Sequence, residues 1–135
     1  MKLTLNQANA SDSFTSLGLT LERLKEALQR SPEKDSLVLD ATIQRFEFCI
    51  ELTWKVLKKI LEAEGEQVAT PRQALSAAYQ AGWFDDEALW LGMLKDRNLT
   101  SHTYREELAL EIYQKIASYH QAMAALYSFL QQQYQ

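Results

Sequence analysis

Hydrophobic positions recur at steps of three and four residues through most of the chain, which is the spacing of amphipathic α-helices. The first run follows a candidate capping residue, Ser13. Its apolar positions are Phe14, Leu17, Leu21, Leu24 and Leu28. Ser31-Pro32 ends the run, because proline pushes the residue before it out of the helical backbone region. The pattern therefore predicts a first helix that stops before Pro32.

The second run is longer and apolar on two sides. It opens at Asp35 or Ser36 and reaches Glu64, with Gly65 as the expected stop. One apolar row contains Ile43, Phe46, Ile50, Trp54, Leu57 and Leu61, and the other contains Cys49, Leu52, Val56 and Ile60. Such a helix is either central in its bundle or faces both a core and a partner chain.

Three more helices follow. Thr70-Pro71-Arg72-Gln73 is typical of a helix start with a capping box and proline at the first position, and that helix ends near Gln80, before Gly82. Asp85-Asp86-Glu87 places acids where the dipole of a fourth helix favours them. The last helix has its apolar row at Leu108, Ile112, Ile116, Tyr119, Met123, Leu126 and Leu130. Residues 1–11 are expected to form a loose arm, and residues 131–135 a frayed tail.

Composition supports an all-α fold. Leucine occurs 21 times and alanine 16 times, against three valines and five isoleucines, and four glycines and two prolines are too few for a meander of short strands. With 135 residues, the chain is expected to be one domain spanning 1–135. We predict an antiparallel helical bundle of three long and two short helices.

Charge and cysteine usage exclude several classes of protein. The net charge of −4 does not supply the basic surface of a general nucleic-acid coat, so any RNA chemistry needs a local cleft. Charged residues interrupt every apolar run before about 18 residues, which argues against a membrane span. Nothing near Met1 suggests export, and the single Cys49 cannot form an internal disulfide. A cytoplasmic location is expected.

One polar stretch, residues 95–106, concentrates candidate chemistry. Thr103 and Glu106 have the spacing of a capping box, which predicts that the last helix starts at Tyr104. Arg97 and His102 would then meet Tyr104 at a helix N-terminus, a place suited to phosphate. Spacing alone also fits an ordinary surface loop.

The residue types limit the reaction that this stretch could catalyse. With two histidines and one cysteine, no metal cluster can be assembled, so we expect no metal and no other cofactor. Metal-free cleavage suits RNA, whose 2′-hydroxyl can attack its own phosphate. A histidine such as His102 would move the proton, Arg97 would stabilise the phosphorane, and Asp96 could orient His102 or balance Arg97.

Several segments together resemble one family. They are Ile43–Phe48, Glu51–Lys55, Thr70–Arg72, Ala81–Asp86 and Trp90–Tyr104, which includes an Arg-x4-His-x-Tyr motif. The chain is similar over about residues 14–130 to HEPN-domain, HepT-like toxins, also described as nucleotidyltransferase substrate-binding proteins. The resemblance implies a helical bundle that dimerises and places two motifs in one cleft.

The resemblance also implies roles for individual residues. Arg97 and His102 look like the catalytic pair of a metal-independent ribonuclease, and Asn98 like the polar neighbour of the arginine. Tyr104 matches the tyrosine that a partner minimal nucleotidyltransferase (MntA-like) adenylylates to silence the toxin. The substrate would be RNA, such as a transfer or messenger RNA, and the pair a type VII-like toxin–antitoxin system.

Other candidates have plainer interpretations. Glu47 is an accessory candidate that could reach the cleft, as could Arg45, but a buried or interfacial ion pair is favoured for these residues. We expect core or interface roles for the tryptophans and packing roles for Cys49 and His120. The lysine cluster fits a solvated face, or a contact with RNA or the partner. The tryptophans are Trp54, Trp83 and Trp90, and the clustered lysines are Lys55, Lys58 and Lys59.

The sequence is consistent with two functions, and with a third possibility in which the helical bundle serves only for dimerisation. The leading hypothesis is the endoribonuclease toxin with Arg97 and His102 as its catalytic pair. The alternative is a non-catalytic nucleotide- or substrate-binding subunit of a two-protein nucleotidyltransferase, in which the same residues recognise a phosphate and break no bond.

Overall fold

Five α-helices make up the fold in the computed structural model, which describes residues 3–102 and 105–135 without the side chain of His102. The helices are α1 (Ser11–Leu28), α2 (Ser36–Ala63), α3 (Pro71–Gln80), α4 (Glu87–His102) and α5 (Glu106–Tyr134). No strand occurs within the described ranges. The predicted all-α class and the number of helices are therefore confirmed. Within the same ranges, no helix is both long and apolar enough to cross a bilayer.

Helix α2 is the centre of the bundle and packs against each of the other four helices. It runs antiparallel to α1, since Lys59 Nζ donates to Ser13 Oγ at 2.9 Å and Cys49 Sγ lies 3.4 Å from the Thr20 carbonyl oxygen. Its second apolar row is buried within the chain except for half-buried Leu52. Of the two predicted explanations for a doubly apolar helix, the described core thus supports the central position.

Most predicted helix ends are confirmed, and each has a visible cause. Asp35 caps α2 by accepting from the Leu37 amide at 2.9 Å, and Thr70 caps α3 by accepting from the Gln73 amide at 3.2 Å. After α2, Gly65 has φ +97°, a left-handed backbone that glycine adopts without steric cost. Short-range capping chemistry therefore fixes these boundaries.

Both ends of the chain differ from the expected loose arm and frayed tail. The Leu5 amide donates to the Tyr134 carbonyl at 2.6 Å, and Leu5, Ala8 and Ala10 are buried. Helix α5 continues to Tyr134, whose hydroxyl donates to Glu64 Oε1 at 2.5 Å and whose ring meets Trp83 edge-on. A backbone hydrogen bond therefore joins the two ends, and apolar residues of both ends pack in or against the core. Helix α1 starts at Ser11 rather than after Ser13.

The polar stretch around residue 100 also differs from expectation. Helix α4 continues through Arg97 to His102, and α5 begins at Glu106 with Arg105 as its N-cap residue, which makes no side-chain cap hydrogen bond. The predicted loop is therefore mostly helix. The predicted capping residue Thr103 and the predicted first helical residue Tyr104 lie outside the described residues.

Candidate functional site

Arg97 lies on the side of α4 that faces α2. Its Nη2 donates to Glu51 Oε2 at 2.9 Å, and its Nη1 donates to the neighbouring Asn98 Oδ1 at 3.2 Å. The Arg97 side chain is 32% exposed. Within the described part of the chain, these contacts occupy two of the five N–H donors of a guanidinium, so donors remain for an anion at the surface.

Glu47 holds the final turn of α4 against α2. Its Oε2 lies 2.7 Å from Thr100 Oγ1 and 3.0 Å from Ser101 Oγ, and both hydroxyls also lie within hydrogen-bonding distance of the Arg97 carbonyl. Glu47 and Arg45 form no ion pair with each other within the described chain, and an ion pair of either residue across an interface stays a prediction. Arg45 instead donates to the Arg23 carbonyl at 2.6 Å, because it lies on the side of α2 that faces α1.

Asp96 points the opposite way, into the interface between α4 and α5. It is 3% exposed, and its Oδ2 accepts from the Tyr119 hydroxyl at 2.5 Å and lies 2.8 Å from Lys115 Nζ. Burial, together with the hydrogen bond and the charge of Asp96, raises the pKa of Tyr119 well above its usual range. The expectation that Asp96 balances Arg97 is therefore wrong, since one step along the helix rotates the side chain by about 100°.

Glu51 is the carboxylate that balances Arg97, and sequence reasoning did not single it out as a site residue. It also lies 3.5 Å from Lys55 Nζ, one helical turn further along α2. A signal was present in the sequence: Glu47, Glu51 and Lys55 stand four residues apart and share one face of the helix. What the sequence did not reveal is that α4 lies across that face.

The other two motif residues are His102 and Tyr104. His102 is the last residue of α4, five positions after Arg97, and its side chain lies outside the described part of the structure. Tyr104 lies outside it altogether. The predicted meeting of Arg97, His102 and Tyr104 therefore stays a prediction.

The remaining candidates mostly have packing roles. Trp83 and Trp90 are buried, and Trp54 is half-buried against the core. Burial raises the pKa of the Cys49 thiol to about 12, and a ring nitrogen of His120 lies 3.1 Å from the Leu21 carbonyl oxygen. Two of the clustered lysines, Lys55 and Lys59, already contact side chains of the bundle. Among the described residues, no three His, Cys, Asp or Glu side chains gather as a metal site would require.

A broad open groove lies where α4 meets the start of α3 and the start of α5. Its volume is about 1010 Å³, and Asn98, the residue that accepts from Arg97, lines it. The other described lining residues come from α3, α4 and the start of α5: Arg72, Ala88, Leu91, Gly92, Leu94, Lys95, Leu99, Arg105 and Leu108.

The family of this chain follows from a model of related sequences. The family described as "nucleotidyltransferase substrate binding protein like" matches residues 12–132. The chain belongs to this family. A relative of this chain is the probable ribonuclease HepT of Haemophilus influenzae, which is 32% identical over an alignment of 124 residues. The match covers 85% of this chain and 83% of the relative.

Two solved structures share the fold of this family member. A Thermus thermophilus protein of known crystal structure is 37% identical with a TM-score of 0.76, covering 84% of this chain and 98% of its own. A Haemophilus influenzae protein, described as revealing the fold of a substrate binding domain of a nucleotidyltransferase, is 26% identical with a TM-score of 0.67. That match covers 95% of this chain and 99% of the other. The resemblance drawn from the sequence motifs is confirmed.

Proposed function

We propose that this protein is the toxin of a HepT-like toxin–antitoxin pair and cleaves RNA without a bound metal ion. The observation that carries the proposal is the Arg97–Glu51 contact, which holds a partly exposed guanidinium in one orientation at 2.9 Å. The relative named probable ribonuclease HepT supports the same activity.

The chemistry follows from what these groups can do. The 2′-hydroxyl of the RNA attacks the adjacent phosphorus, and the 5′-oxygen of the next nucleotide leaves. His102 takes or gives the proton, because imidazole titrates near neutral pH. Arg97 donates to the phosphorane oxygens, where negative charge builds up in the transition state. Asn98 and Glu51 hold the guanidinium from its two ends.

A homodimer is part of the proposal. Phe48 is 53% exposed on α2, next to Glu47, and Leu52 is half-buried one helical turn further along. Exposed aromatic and aliphatic side chains of this kind favour a protein contact. A second copy on this face would bring two Arg97 sites toward one cleft.

The proposal also includes regulation of the toxin by a partner enzyme. A minimal nucleotidyltransferase adenylylates Tyr104, adding negative charge and bulk beside the phosphate site. The family description supports a nucleotidyltransferase partner. The RNA substrate is a transfer or messenger RNA, and the protein acts in the cytoplasm.

The test is expression of this chain alone, followed by RNA cleavage with the purified protein in a chelator. Growth arrest and chelator-resistant cleavage are expected, and both should disappear in Arg97→Ala and His102→Ala. Lys34→Ala, at an exposed lysine in the loop between α1 and α2, is the matched control and should behave like the parent. Cleavage that survives both motif substitutions would refute the proposed site.

The second candidate is a non-catalytic subunit that binds nucleotide or substrate for a nucleotidyltransferase. The family description and the Haemophilus influenzae structural relative favour it. In that case the chain expressed alone causes no growth arrest, and Arg97→Ala lowers the partner enzyme's activity instead. The two candidates therefore differ in an experiment that needs only this chain.

A further inference from the structure

The groove on α4 is positively charged in an acidic protein. It is lined by Arg72 of α3, Lys95 of α4 and Arg105 at the N-cap position of α5, and all three are exposed. No carboxylate occurs among its described lining residues, although the whole chain has a net charge of −4. None of these three cations forms an ion pair with a described residue. The groove thus favours an anionic occupant.

The floor of the groove is apolar. Leu91, Leu94, Leu99 and Leu108 line it, and Leu99 is 40% exposed. A volume of about 1010 Å³ is at the upper end of the range for small-ligand pockets, and the groove is open along one side. Proteins commonly hold single-stranded nucleic acid in a cationic groove that follows the phosphates, with side chains on which the bases pack. Aromatic rings usually form that packing surface, and in this groove the four leucines supply it.

Asn98 connects the groove to the proposed catalytic arginine. Its side chain lines the groove, and its Oδ1 accepts from Arg97 Nη1 at 3.2 Å. A strand lying in the groove therefore meets the residue that holds the guanidinium proposed to stabilise cleavage. A neutral small molecule would leave the three cations unused.

We propose that this groove binds the single-stranded RNA substrate, with Arg72, Lys95 and Arg105 contacting its phosphates. The inference rests on the proposed function for its substrate class, and it assigns substrate-binding roles to three residues outside the Arg-x4-His-x-Tyr motif. The contacts are to the backbone, so the groove positions RNA and does not select a base sequence.

The test measures binding of a fluorescein-labelled, mixed-sequence RNA of about 12 nucleotides, a length within the range that single-strand-binding grooves cover. All proteins carry His102→Ala to prevent cleavage, and anisotropy is followed across a salt titration. The test variant is R72Q/K95Q/R105Q. The matched control is R23Q/R30Q/K34Q, which removes the same charge from exposed positions on α1 and the loop after it.

We expect the groove variant to bind RNA at least about tenfold more weakly at low salt, since three charge-assisted phosphate contacts are lost. Each phosphate contact on a single strand contributes about 0.7 to the slope of log Kd against log salt. Loss of three contacts should therefore lower that slope by about 2. The control variant should retain most of the affinity and the slope. Equal losses in both variants, or no loss in either, would overturn the inference.

Two further measurements keep the outcomes separate. Size-exclusion chromatography of the groove variant reports the oligomeric state, and a change from dimer to monomer with RNA affinity retained would show that a second copy occupies the groove. Cleavage is measured in the same substitutions without His102→Ala. If the parent cleaves RNA and the groove variant binds and cleaves it equally well, RNA binding in the groove is refuted and the proposed ribonuclease function stands. If the parent never cleaves RNA but the groove variant still loses RNA binding, the ribonuclease function is refuted and RNA binding in the groove stands.

Discussion

Neighbouring residues of α4 have opposite surroundings. The Asp96 side chain is 5% exposed and lies between α4 and α5, where Tyr119 and Lys115 satisfy its carboxylate. Arg97 is 32% exposed and lies against α2, where Glu51 binds one edge of its guanidinium. Both are charged residues with a hydrogen-bonded partner of opposite charge.

The two faces of α4 show how a charge with a structural role, Asp96, differs from a charge with a proposed functional role, Arg97. A buried carboxylate must have its partners, because an unpaired buried charge costs several kcal/mol. A half-exposed ion pair contributes about 0–1 kcal/mol, so its orientation matters more than its strength. We therefore expect substitutions on the α5 face to lower stability and substitutions on the α2 face to lower activity.

The largest effect is expected for Arg97→Ala. Loss of a donor aimed at the transition state lowers the rate of RNA cleavage by about 100- to 1000-fold. The free energy of unfolding should change by less than about 1 kcal/mol, because the ion pair with Glu51 is partly solvated. Single-turnover cleavage and urea denaturation measure the two quantities. If Arg97→Ala folds stably and cleaves RNA at the parental rate, the α2 face of α4 has no special role in activity.

Asp96→Ala should destabilise the protein by about 2 kcal/mol, since it leaves the buried Tyr119 hydroxyl without its acceptor. Lys115 limits the loss, because its side chain is 51% exposed and can be rehydrated. Urea denaturation measures the change, with Asp12→Ala in the exposed first turn of α1 as the control. A loss of cleavage without a loss of stability would mean that Asp96 acts in the reaction after all.

Glu51→Gln should lower kcat/KM for RNA cleavage by about tenfold, a change equivalent to about 1.4 kcal/mol. The amide can still accept from Arg97, but it loses the charge that keeps the guanidinium in place. Glu62→Gln, at an exposed position on the same helix, is the control and should have no effect. A rise in activity would instead mean that the Glu51 carboxylate competes with the substrate phosphate for Arg97.

The smallest effect concerns pH and the α5 face. The pKa of Tyr119 is raised in the folded protein, so the unfolded chain loses the phenolic proton first as pH rises. Its contribution to stability is therefore complete below about pH 10, the ordinary tyrosine pKa, and is lost above it. The difference in unfolding free energy between the parent and Tyr119→Phe should stay constant up to about pH 9 and shrink above pH 10. A difference that changes between pH 6 and 8 would point to a different titrating group.

Much of the fold could be predicted because local chemistry determines it. Asp35, Thr70 and Gly65 set helix boundaries through capping bonds and backbone conformation that depend on a few neighbouring residues. The three- and four-residue steps identified the buried rows of α1 and α5 for the same reason.

The features that depend on distant contacts could not be predicted in this way. The polar end of α4 stays helical where Glu47, 53 residues earlier than Thr100, binds its hydroxyls. Asp96 was expected beside Arg97, but Glu51 lies there, because the identity of that carboxylate depends on how α4 lies across α2. The packed chain ends were missed because Leu5 and Tyr134 meet only in the folded protein.

The most direct test of the central claim is the chemistry at the ends of the RNA products. Attack by the 2′-hydroxyl, with Arg97 stabilising the phosphorane, leaves a 2′,3′-cyclic phosphate on one fragment and a 5′-hydroxyl on the other. Mass spectrometry of products formed by the purified protein in a chelator should find these ends, and an oligonucleotide with 2′-deoxyribose throughout should remain uncut. Products with a 3′-hydroxyl and a 5′-phosphate, or cutting of the deoxy oligonucleotide, would contradict the account.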